Sequence, residues 1–242
     1  MMVVILFISL FLTTYTVYIH TKRVDTALIW SALVIGLAIA LSTEIFSLFR
    51  LFRFEAISIF WVFYCIALII TQKLWRITPP KLTFSWHYFA IPIALILLAT
   101  LLNALISPPN TYDSMTYHMP RVIFWEQYGS VAHYPTSESR QLYQHPFAEY
   151  VIAHLQILSN RDRFANLPQW FSYLGSLILI FTISQQLGTN RYQRWGAVVL
   201  GATIPMAIVQ ATSTQNDMVT TYWVLSSIYF VLLLRTEINL KS

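Results

Sequence analysis

Thr26-Ala-Leu-Ile-Trp-Ser-Ala-Leu-Val-Ile-Gly-Leu-Ala-Ile-Ala-Leu-Ser-Thr43 carries no charge over eighteen residues and is bounded by Asp25 and Glu44. Its apolar side chains run continuously and do not alternate. That pattern excludes a barrel strand and predicts a helix that crosses a membrane, where every backbone polar group must be paired internally. Six further uncharged windows repeat it: Met1–Thr21, Ala56–Gln72, Leu82–Tyr112, Phe164–Asn190, Trp195–Asn216 and Met218–Leu234. A spanning helix needs about 20 mainly apolar residues, with a lower limit of roughly 17. Each window is long enough, so the sequence predicts an all-α polytopic transmembrane helical bundle of about seven spans.

Composition agrees. Of 242 residues, 57% are hydrophobic and only 10% are charged, against about a quarter charged in a soluble domain. A soluble globular enzyme, a disordered tail and a disulfide scaffold are excluded. The first window lacks a basic start and an Ala-x-Ala-like cleavage site, so it reads as a span and not as a cleaved leader. The single cysteine, Cys65, cannot form an internal disulfide or a Cys-rich zinc site; it reads as a small buried or lipid-facing side chain.

The charges punctuate the windows and orient them. Lys22 and Arg23, then Lys73, Arg76 and Lys81, then Arg191 and Arg194, and finally Arg235 and Lys241 follow alternate spans. All nine fall on one side, which marks the cytoplasm. Arg50, Arg53 and the long segment after the fourth window fall on the other, so the N-terminus and that segment are expected to face outward. The net charge of +5 follows from this bias. No basic cluster of nucleic-acid-binding size exists, and nucleic acid is not an expected partner.

The segment 107–163 is where chemistry could sit. It holds Asp113, Arg121, Glu126, Glu138, Arg140, Glu149, Arg161, Asp162 and Arg163, four of the six histidines (His118, His133, His145 and His154), and many aromatics suited to a membrane interface. One short helix is expected from after Asp113 to Tyr128, kinked by Pro120 and ended by Gly129. A second is expected to start near Pro146, with irregular loop over 130–144. Asp113 reads either as a helix N-cap or as a carboxylate base at the bilayer surface. Asp217 reads either as a cap or as a second carboxylate at the same membrane depth. His145 and Glu149 have the i, i+4 spacing of metal ligands, although packing or hydrogen bonding explains the histidines more simply.

Several stretches resemble GT-C membrane glycosyltransferases, in particular bacterial relatives of dolichyl-phosphate-mannose protein mannosyltransferases. They are Tyr112-Asp113-Ser-Met-Thr-Tyr117-His-Met-Pro-Arg121, Gln144-His-Pro146-Phe147, Arg163-Phe-Ala-Asn-Leu-Pro168, and Ile204-Pro205 followed by Asp217. The resemblance covers roughly residues 82–234. It implies residues 1–81 as a three-span N-terminal extension and 82–242 as a GT-C-like membrane core cut short at its C-terminus. It also implies a polyprenyl-phosphate sugar as donor and a glycan, lipid or protein acceptor at the outer face, among membrane lipids, in a bacterial inner membrane.

By that resemblance Asp113 would be the base, and Asp217 would orient the acceptor or a divalent metal. Arg121, Arg140 and Arg163 would hold the donor phosphate, with Tyr117, His118 and His145 in support. Ser114 stands where many relatives have a further acid, which leaves metal dependence open. No other cofactor is implied. A non-catalytic or truncated protein of the same descent is the alternative. A transporter or flippase is a weaker one, because Glu44 is the only charge that approaches a span interior and Pro92 and Pro205 are isolated breaks.

Overall fold

A computed structural model describes residues 2–74 and 87–239, with side chains through residue 235. Arg76, Lys81 and Lys241, used above for orientation, lie outside the described residues, as does the expected boundary at residues 81 and 82. The described residues are helical and contain no strand. Among the described residues, five helices are long and apolar enough to cross a membrane: Val4–Thr21 (α1), Val24–Leu48 (α2), Phe54–Leu74 (α3), Asp162–Gln186, whose α-helical part is Leu167–Gln186 (α8), and Asp217–Arg235, the first part of Asp217–Asn239 (α11). Ala90–Ile106 (α4) is a shorter apolar helix. The protein is therefore an all-α integral membrane protein. Its exposed leucines, isoleucines and phenylalanines, such as Leu37, Phe63 and Leu98, are the lipid-facing surface that such a fold needs.

The sixth window along the chain departs from a straight span. Residues 195–216 contain Arg191–Ala202 (α9) in part, then Pro205–Gln210 (α10), with a break at Thr203-Ile204. Proline cannot donate a hydrogen bond and crowds the preceding turn. The carbonyl of Ala202, left at the break, accepts from the Tyr173 hydroxyl at 2.6 Å. A helix of twelve residues rises only about 18 Å, well short of a hydrocarbon core of about 30 Å. Absence of charge over a window thus set its apolarity but not its continuity.

The chain divides into two compact units, Met1–Leu82 with Ser107–Ala165, and Thr83–Ile106 with Asn166–Ser242. The long segment falls in the same unit as the first three helices. In the first unit, small and hydroxylated residues let α1 approach α2 and α3, as helices in lipid require. Ser9 Oγ lies 3.2 Å from Cys65 Sγ, Thr13 Oγ1 2.9 Å from Tyr64 Oη, and Gln72 donates to Thr16 Oγ1 at 2.9 Å and to the Leu12 carbonyl at 3.0 Å. Cys65 is buried, one of the two options its sequence left open.

The long segment contains Met119–Tyr128 (α5), Arg140–Tyr143 (α6) and Phe147–Ser159 (α7). It docks beside the α2–α3 connection, where Gly129 O accepts from Phe52 N at 3.0 Å and Ser47 Oγ meets Ser130 Oγ at 2.9 Å. That contact puts the segment on the same side as Arg50 and Arg53. Gly129 closes α5 at φ 64°, and a Cβ there would lie 2.7 Å from Arg50 O. Gly129→Ala is expected to cost at least about 1–2 kcal/mol from the left-handed backbone alone. Denaturant titration in detergent micelles checks this, and a loss below about half a kcal/mol would refute it.

In the second unit α8 lies against α11, α9 and α4 around Ile93, Tyr173, Leu177, Val198 and Met218. Gly175 allows the Tyr222 ring to press on α8, since a Cβ there would sit 2.6 Å from the ring.

Candidate functional site on the long segment

The segment enters through Thr111, which does the capping expected of Asp113. Thr111 Oγ1 accepts from Ser114 N at 3.2 Å and pairs with Ser114 Oγ at 2.6 Å. Asp113 makes no side-chain cap hydrogen bond, so its N-cap reading is replaced. Pro120 does not kink α5. It sits in the first turn, and the strain is absorbed just before it as a π-helical turn, Ser114–His118. Such turns recur at functional sites. Proline 120 cannot donate to the carbonyl of Thr116, and Gln141 Nε2 donates to it instead at 2.8 Å.

Freed from capping, the Asp113 carboxylate turns toward α6. Arg140 Nη1 stands 3.5 Å from Asp113 Oδ1, with both side chains about one-third exposed. Arg140 also clasps Glu138, Nε to Oε1 at 2.8 Å and Nη2 to Oε2 at 2.9 Å. That guanidinium holds the Glu138 carboxyl at about 2, helped by the Arg140 backbone N–H, and Glu138 in turn raises Arg140. The Arg140 guanidinium lies 4.8 Å over the Tyr117 ring and 5.7 Å from that of Tyr112. The result is a partly exposed carboxylate and a permanently charged guanidinium, backed by two aromatic faces. It can accept a proton at Asp113 and offer an anion the positive charge of Arg140.

Arg121 is not at this surface. Only 2% exposed, it donates to Gln141 O at 2.5 Å, to Gln144 O at 2.8 Å and to Glu149 Oε1 at 3.2 Å, and lies 5.3 Å over the Trp125 ring. His118, fully buried, donates through Nδ1 to the same Glu149 oxygen at 2.8 Å. Arg121 and His118 are thus inside the segment: Arg121 binds carbonyls of α6 and of its C-terminal cap, His118 holds Glu149 of α7, and a phosphate cannot reach Arg121 in this arrangement. Tyr117 is buried beneath Arg140. His145 is exposed and lies outside α7, because it precedes Pro146. The His145–Glu149 ligand pair is therefore not formed, and no cluster of three metal-ligating side chains exists among the described residues.

Arg163 is exposed on a short 3₁₀ turn, Asp162–Phe164. Asp217 is exposed at the first turn of α11, in the other unit. There Gln169 Oε1 of α8 accepts from Val219 N at 3.0 Å, so a neighbouring helix meets the backbone donor that an Asp217 cap would take.

Sequence reasoning missed Glu149 as the hub of a buried charge cluster and Gln141 as the brace of α6. A buried acid in an apolar helix beside an Arg in the preceding helix was the available signal. Comparison with family models, with curated proteins and with solved structures finds no significant match to this chain.

Proposed function

We propose that this membrane protein transfers a sugar from a polyprenyl-phosphate donor to an acceptor hydroxyl, with the long segment facing outward across a bacterial inner membrane. The observation that carries this reading is the approach of Arg140 to Asp113 at 3.5 Å on a partly exposed face. Asp113 takes the proton of the acceptor hydroxyl. The acceptor oxygen forms a bond to the anomeric carbon, and the bond from that carbon to the phosphate oxygen breaks. The lipid phosphate leaves with the electron pair as an anion that Arg140 pairs with. Arg163 remains a candidate donor contact by resemblance. Arg121, His118 and Glu149 support α6, the element that carries Arg140.

Transport fits less well. Glu44, the charge nearest a span interior, is near the end of α2 and is hydrogen-bonded by Tyr150, so it is anchored where a carrier needs a mobile polar site.

Asp113→Asn keeps the size of the side chain and removes its basicity. In membranes supplied with polyprenyl-phosphate sugars and crude acceptor, the variant is expected to transfer sugar at least about a hundredfold more slowly, as for loss of a general base. Equal transfer by a correctly inserted variant would dismiss Asp113 as the base. No transfer by the parent chain with any such donor would leave a membrane protein without this activity.

A further inference from the structure

The same segment has a concave feature whose lining includes neither Asp113 nor Arg140. A depression of about 390 Å3 lies between α5 and the C-terminal end of α7, within the size range of small-ligand sites. Its floor is apolar. Met115, Met119 and Ile123 follow one another at helical spacing, and Met115 and Ile123 are 60% and 43% exposed. Its rim is charged: Glu126 on α5, and Arg161 and Asp162 beyond α7. Gln156 donates to Glu126 Oε2 at 2.8 Å, which fixes that carboxylate. Arg161 and Asp162 are exposed, and neither enters an ion pair among the described residues.

An apolar trough on a membrane protein, rimmed by one cation and two carboxylates, is complementary to an amphiphile with one phosphate and one amine. We propose that the depression seats a phospholipid with a primary-amine headgroup. Its acyl chain lies along Met115, Met119 and Ile123. Its phosphate pairs with Arg161, whose guanidinium can bind two phosphate oxygens. Its ammonium donates to Glu126 and Asp162. A primary ammonium has three N–H donors, and a quaternary one has none. The site therefore selects an ethanolamine headgroup over a choline, and over a glycerol headgroup that brings no positive charge. Asp113, Tyr112 and Tyr117 meet Arg140, whereas Met115 and Met119 line the depression. The lipid seat is thus separate from the proposed transfer site and does not rest on it.

The test is native mass spectrometry of the full chain in detergent micelles, titrated with phosphatidylethanolamine, phosphatidylcholine and phosphatidylglycerol of identical acyl chains. The parent chain is expected to retain the ethanolamine lipid about tenfold more tightly than the other two, a difference of about 1.4 kcal/mol. Arg161→Gln is expected to weaken ethanolamine and choline lipids by a similar factor. The double variant Glu126→Gln with Asp162→Asn is expected to abolish the preference between those two. Circular dichroism of each variant checks that helix content is kept. Equal retention of the three lipids by the parent chain, preference for the glycerol lipid, or a preference that survives the double variant would overturn the proposal. Asp113→Asn is expected to leave lipid retention unchanged, so failure of the transfer reading and failure of the lipid seat are read separately.

Discussion

Glu149→Ala is expected to destabilise the folded chain by about 3–5 kcal/mol, the usual cost of removing one partner of a buried ion pair. The reason is what remains. Glu149 is fully buried and takes Arg121 Nη1 at 3.2 Å and His118 Nδ1 at 2.8 Å. Without it, a guanidinium 2% exposed keeps two carbonyl partners and the Trp125 ring but loses its counter-charge. Arginine cannot shed its proton to escape that cost. Glu149→Gln retains an acceptor and is expected to lose less. The double variant Arg121→Met with Glu149→Leu is expected to recover most of the loss, because filling the site with apolar side chains removes the desolvation cost as well as the pair. Denaturant titration in detergent micelles measures all three. A loss below about 1 kcal/mol for Glu149→Ala would show that the cluster does not hold the segment together.

Acidification is expected to weaken the docking of α7 through His154. His154 is fully buried. Its Nδ1 accepts from Trp61 Nε1 at 3.0 Å, and its Nε2 is 2.9 Å from Thr43 Oγ1. Indole N–H can only donate, so Nδ1 must keep its lone pair and the ring is neutral, with its proton on Nε2. Burial pushes the imidazole down to about 3, and the Trp61 donor opposes a second proton in the same direction.

The sign follows by linkage. In the unfolded chain the imidazole takes a proton below about 6.5, but in the folded chain it resists until about 3. The unfolded state therefore binds more protons between those values, and stability falls as pH falls through that window, by up to about 1.4 kcal/mol per pH unit. His154→Gln keeps an acceptor and a donor but cannot be charged. Unfolding of the parent chain and this variant between pH 7.5 and 4.5 isolates the effect. The parent is expected to lose about 2–3 kcal/mol more than the variant, and parallel pH curves would refute the assignment.

Much of this architecture was legible in the sequence because lipid makes simple demands. A helix in hydrocarbon must be apolar and long, and both properties lie in consecutive residues. The windows at 1–21, 26–43, 56–72, 164–190 and 218–234 each became a helix long and apolar enough to cross a membrane. Gly129 was readable as a stop, because only a residue without Cβ sits easily at φ 64°. Pro146 was readable as a start, and α7 begins directly after it.

What the sequence by itself determined is thus the local and the apolar: helices, their ends, and a polar segment between spans. Tertiary structure alone decided who meets whom. It turned Asp113 from a cap into a partner of Arg140, because Thr111 and Ser114 satisfied the local donor first. It sent Arg121 inward, because Glu149 and the carbonyls of Gln141 and Gln144, 20 to 28 residues away in sequence, converge where no residue spacing announces it. It joined the long segment to α2 and α3 through His154, Thr43 and Trp61. Charge and hydrogen-bond partners are chosen by proximity in space, and a linear reading gives their chemistry but not their distances.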